Sequence, residues 1–123
     1  AKIKSKDVLD SKYLTVRTQE GAEIDVKVNT RNLDSKAVSG GKITLSGAAT
    51  NQEVVVRTGG SFYGKDLKSK QVDVTVFAGG KAFVNSSEFV EANVTAGGTI
   101  EIFGNPETVK KDKTFGGSII IND

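Results

Sequence analysis

The chain has 123 residues, 37% hydrophobic and 26% charged, which fits one domain with enough apolar material for a core. Lys plus Arg is 17 and Asp plus Glu is 15, a net charge of +2 that gives no ground for nucleic acid or an anionic membrane as partner. Cysteine and histidine are absent, which excludes a disulfide framework, thiolate nucleophiles and Ser-His-Asp chemistry and removes the commonest zinc ligands.

No apolar run approaches the roughly eighteen residues of a membrane span. The chain begins at Ala1 without an initiator Met and carries no signal-peptide pattern. The segment 1–13 reads as the end of a lost N-terminal region, and 1–123 as a single domain. From Val16 onward a repeat sets in. A lone Gly21 is followed by the pairs Gly40-Gly41, Gly59-Gly60, Gly79-Gly80, Gly97-Gly98 and Gly116-Gly117, at steps of 19, 19, 20, 18 and 19 residues.

Three and five residues after the first glycine come Ile24 and Val26, Ile43 and Leu45, Phe62 and Gly64, Ala82 and Val84, Ile100 and Ile102, Ile119 and Ile121. Before the glycines stand Val16, then Val54 with Val56, Val74 with Val76, and Ala92 with Val94. Alternation of period two is the signature of a half-buried strand, and Val and Ile favour strands. Each unit therefore reads strand, glycine corner, strand and a looser turn such as Ser46-Gly47-Ala48 or Gly104-Asn105-Pro106. A unit of about 19 residues has no core of its own, but stacked units pass their inward residues from one to the next. The predicted fold is all-β: a right-handed parallel β-helix (β-solenoid) of about six coils, roughly 29 Å long at about 4.8 Å per rung. The glycine pairs are its corners, where the chain turns sharply with positive φ. A phosphate-cradling loop needs a helix and a Lys-Ser/Thr behind it, and neither follows.

The segments 38–47, 57–62, 94–100 and 115–119 resemble the repeats of the GIN-type domain. That family carries the label "putative auto-transporter adhesin, head domain" and is common in Bacteroidetes. Gly64–Lys70 leading into Val72-Asp73-Val74, and the closing Phe103-Gly104-Asn105-Pro106, are similar to it as well. The likeness covers roughly residues 14–123. It implies an exported β-helical protein of the cell envelope, periplasmic or extracellular, with no established biochemical activity. Family repeats often place an acid after the corner; here Lys42, Ser61, Lys81, Thr99 and Ser118 stand there.

Two columns of residues could carry chemistry. Counted back from the corners, Asp34, Glu53, Asp73 and Glu91 share one position, and Lys110 follows them. Stacked carboxylates about 5 Å apart resist joint ionisation unless a cation intervenes, and oxygen-rich clusters suit calcium. The alternative is a solvated face neutralised by Lys36, Lys68, Lys70 and Lys111. The second column is aromatic: Tyr63, Phe83 and Phe103 recur every 20 residues, and Tyr63 and Phe83 fall on outward positions. Exposed rings can stack on sugars or seat a protein, with Arg57 beside them and Phe77 in reach. A covering loop or segment is the alternative.

The expected role is a non-catalytic surface or envelope module that binds a glycan or a protein, without a cofactor. A polysaccharide-acting enzyme would use Asp73 with Glu91, or Glu53 with Asp73, and Arg57 as the cation. A purely structural spacer is the third reading. A solenoid exposes bare strand edges unless capped. After Ile119-Ile120-Ile121 only Asn122 and Asp123 remain, so the last coil is expected either to pair end-to-end with another copy or segment, or to be capped by those two residues.

Overall fold

The computed structural model describes residues 2–114 and 117–121, with side chains from Lys12 to Lys113 and from Gly117 to Ile121. Gly116, Asn122 and Asp123, named above as a corner and as a cap, lie outside the described residues. Eight strands form one sheet: β1 (Lys2–Thr18), β2 (Glu23–Ala37), β3 (Lys42–Arg57), β4 (Ser61–Phe77), β5 (Lys81–Thr95), β6 (Thr99–Phe103), β7 (Thr108–Thr114) and β8 (Ser118–Ile121). Every pairing is parallel, in the order β1-β2-β3-β4-β5-β6-β8, with β7 also on β5. The chain is thus a β-solenoid of about six turns, with no helix among the described residues.

The first five strands run 15 to 17 residues, too long for flat strands. Each is nearly a whole coil, bent on itself while its ladder to the next coil continues. This corrects the expected looser turn at Ser46-Gly47-Ala48, which pairs in register with Asp66-Leu67-Lys68 inside β3 and β4. The bend there is made by Gly47 at φ +113, where a Cβ would run into the Val28 carbonyl of the coil below. Only in the last coil does the second corner open, as the stretch 104–107 between β6 and β7.

The glycine corners divide the labour between their two residues. In Val38-Ser39-Gly40-Gly41 the central pair has φ +55 and +81, and Gly41 N–H donates to the Val38 carbonyl at 3.1 Å. That is a type I′ turn, which demands left-handed backbone at both central positions. The second glycine has ordinary φ but no room. A Cβ on Gly60 would lie 2.6 Å from the Ala37 carbonyl oxygen of the adjacent coil. The ladder also passes through the corner, since Ser61 N–H donates to Gly41 O and Lys81 N–H to Gly60 O.

The inward columns are those read from the alternation. Ile43, Phe62, Ala82 and Ile100 stack in register, as do Val54, Val74 and Ala92, and Val56, Val76 and Val94, all buried. Six polar side chains are buried among them: Thr18, Thr30, Ser35, Gln52, Ser69 and Ser86. Gln52 occupies the column of Leu33, Val72 and Val90 and donates through Nε2 to Ser69 Oγ at 3.3 Å.

Candidate functional site

The acidic column is in register: Asp34 faces Glu53, Glu53 faces Asp73, Asp73 faces Glu91, and Glu91 faces Lys110. These carboxylates lie along a line of rungs rather than around a point. Among the described residues no three of them converge as an ion-holding group. The column is closed at one end by Lys110, whose Nζ lies 4.0 Å from Glu91 Oε1. Asp73 has acids on both sides. Partial burial, and then the charge of Glu91, hold its carboxyl above the ordinary value of 3.8.

The aromatic residues are arranged differently from the single predicted column. Tyr63 and Phe83 are paired in register, with ring centroids 5.2 Å apart and planes 10° from parallel. Phe103 is not their neighbour. Glu101 faces Phe83, and Phe103 faces Asn85, because the coil from Lys81 to Thr99 is two residues shorter than the one before it. The Lys65 Nζ lies 4.9 Å from the Phe103 ring. Arg57 is not beside Tyr63 but stacks on Phe77, 4.5 Å from its centroid, before the glycine corner rather than after it. Tyr63, Phe83 and Phe103 are all half-buried. Tyr63 and Phe83 each cover a face of the other, and the Lys42 Nζ lies 5.2 Å from the Tyr63 ring. The pair therefore turns ring edges, more than open ring faces, to solvent.

A groove lies elsewhere, beside the acidic column. Its volume is about 490 Å³, and its walls include Asp34, Glu53 and Asp73. The other wall is a second in-register column, Tyr13–Asn32–Asn51–Gln71–Phe89. Leu14, Leu33, Gln52 and Val72 form the floor between them. Asn51 Nδ2 donates to Asn32 Oδ1 at 3.2 Å, linking two of the three amides along the solenoid axis. Tyr13, 76% exposed, stands at one end of the groove wall and half-buried Phe89 at the other, with Thr108 next in register beyond it. Five rungs span roughly 19 Å. The wall thus offers amide donors and acceptors opposite carboxylate acceptors, with a ring at each end. These five residues escaped the sequence reading, although each lies two positions before a member of the acidic column or before Thr15, which heads it.

The family model described as "Putative auto-transporter adhesin, head GIN domain" matches residues 1–106. The chain belongs to that family. No match is found among the curated proteins. Among solved structures, a putative adhesin from Bacteroides fragilis is similar with a TM-score of 0.92 and 19% identity. The alignment covers 98% of this chain and 56% of that one, so the chain spans little more than half the length of that protein. At this identity the likeness is one of fold.

Proposed function

We propose that the chain is a non-catalytic, adhesin-like binding module, exported to the cell surface or envelope, and that its groove holds an extended, hydroxyl-rich glycan along the solenoid axis. The observation that carries the reading is the five-rung wall from Tyr13 to Phe89 opposite three carboxylates. Sugar hydroxyls both donate and accept, which matches carboxylates on one side and amides on the other. Rings at the two ends suit the apolar faces of sugars. The adhesin description of the family supports a binding role. A non-catalytic reading fits the arrangement of the acids. Glycosidase carboxyls flank the scissile bond from two sides, whereas Asp34, Glu53 and Asp73 line one wall.

The test is retention on a glycan array by the wild-type chain and by Tyr13→Ala and Gln71→Ala, both on the outward face. Loss of either contact is expected to weaken a specific hit by roughly tenfold, about 1.4 kcal/mol. A hit insensitive to both but abolished by Phe83→Ala would move the site to the Tyr63–Phe83 pair. Release of reducing ends or unsaturated sugar from a retained polysaccharide, lost in Asp73→Asn, would replace the binding module with an enzyme.

A further inference from the structure

A second concavity, of about 490 Å³, is lined by residues that precede the groove wall along each strand, such as Thr30 before Asn32 and Thr50 before Asn51. We propose that it is an oxyanion site, taking the sulfate, phosphate or carboxylate group of an anionic ligand, independent of the acid-lined groove. Lys68 and Lys70 line it, two residues apart on β4, both exposed with buried Ser69 between them. Both therefore border the same concavity, although Lys70 stands within a break in the ladder between Ser69 and Gln71. No acidic side chain is among the described residues that line the cavity. Among the described residues neither lysine has a carboxylate within ion-pair distance. Lys65, the next cation along the strand, is engaged over Phe103.

The hollow has a structural cause. In the column Asn29–Ala48–Lys68–Asn85 the small Ala48 sits between longer neighbours, and Gly104 closes the far end. The ladder is also irregular at the lysines, with one register shift that ends at Lys68 and a second, between Ser69 and Gln71, that contains Lys70. Bulges of this kind re-aim side chains and cluster beside functional sites. The floor is held by side chains bonded to backbone. Ser69 Oγ donates to Asn85 O at 2.5 Å, Asn85 Nδ2 to Lys65 O at 3.0 Å, and Ser86 Oγ to Lys70 O at 2.7 Å. Two unneutralised lysines over a fixed floor, with Thr50 and Ser87 at the rim, make a site for a compact anion bearing several acceptor oxygens.

The experiment titrates the protein with inorganic phosphate, with a sulfated disaccharide and with its desulfated counterpart, at low and physiological salt. The wild-type chain is expected to bind both anionic probes and to prefer the sulfated disaccharide over the desulfated one by at least tenfold. The double variant Lys68→Ala, Lys70→Ala is expected to lose at least tenfold in affinity for both phosphate and the sulfated disaccharide. Lys42→Ala with Lys81→Ala removes equal charge from another face and serves as the control. Equal losses in the two double variants would reduce the effect to net charge and overturn the site. So would wild-type affinity in the Lys68, Lys70 variant, or no binding of either anion. Phosphate and sulfated sugar bound alike would keep the site and make it one for a free anion.

Discussion

The inner coils and the last coil stand on the same rungs but fill them with opposite residues. In one inward column Val54, Val74 and Ala92 are fully buried, and the next residue in register is Lys111. In its neighbour Val56, Val76 and Val94 are followed by Lys113. Both lysines are exposed. Lys111 and Lys113 thus put charge at positions that a further stacked coil would bury. The strand that follows, one rung further on against β6, behaves otherwise. β8 continues the apolar columns, and Ile120 and Ile121 are 44% and 41% exposed. The same backbone thus presents a polar edge at β7 and an apolar edge at β8, and residue type alone separates them.

Exchanging residue types between the two regions tests this most severely. Val74→Lys puts the last coil's residue into the core, where an ammonium has no partner. It is expected to cost on the order of 4 kcal/mol or more, enough to unfold a domain of ordinary stability. The reverse change in the same column, Lys111→Val, is expected to alter the urea midpoint by no more than about 0.5 kcal/mol. It should instead raise self-association, because it removes a charge from an open edge. Urea denaturation and light scattering on both variants measure the two effects. Comparable losses of stability would show that β7 is as buried as β4 and that the edge reading is wrong.

A smaller effect separates the two glycines of one corner. Gly60→Ala would set a Cβ 2.6 Å from the Ala37 carbonyl oxygen, a backbone atom that cannot swing aside. The expected cost is about 3 kcal/mol, at the upper end for overpacking. Gly59→Ala meets nothing within 4 Å and suffers only from its φ of +76, so it should cost roughly 1 kcal/mol. Urea midpoints in the reverse order would mean that backbone conformation, not contact between coils, governs the corner.

The corners also explain how much of the molecule could be read in advance. Glycine pairs are unambiguous landmarks, and positions counted from them proved structurally equivalent. Ile43, Phe62, Ala82 and Ile100 are one column, and so are Asp34, Glu53, Asp73 and Glu91. The aromatic column failed because it was counted from ring to ring. Tyr63 and Phe83 lie four residues after their glycine, as does Glu101, while Phe103 lies six after. Coil length varies through bulges that the backbone absorbs between corners, so a constant interval of 20 does not track the ladder. The groove wall was missed for another reason. Asn32, Asn51 and Gln71 belong to no chemical motif, and amides become a site only when the ladder aligns them beside the acids. The continuous second corner was illegible because Ser46-Gly47-Ala48 is ordinary turn composition, and only stacking on Val28 and Leu67 keeps it paired.

The weakest effect concerns charge rather than volume, and it again sets an inner coil against the last one. Glu91 is relieved by Lys110, whereas Asp73 stands between Glu53 and Glu91. Burial and the Glu91 charge raise the Asp73 carboxyl above 3.8 in the folded chain, so the folded state holds its proton to higher pH than the unfolded one. Stability from this group is therefore full below its unfolded pKa and falls as pH rises from about 3.8 through the raised folded value. Since Asp73 is largely exposed, solvent screening keeps the effect small. Asp73→Asn should remove this decline, leaving the variant slightly more stable than the wild type at neutral pH and no more stable in acid. Adding a cation above it, by Glu91→Lys, should pull the Asp73 carboxyl back down and reverse the sign of its contribution. Urea denaturation across the acid range measures the first, and the Asp73 carboxyl shift followed by NMR measures the second. A titration of Asp73 at or below its ordinary value in the wild-type chain would show that the column is neutralised along its whole length, in the inner coils as at the edge.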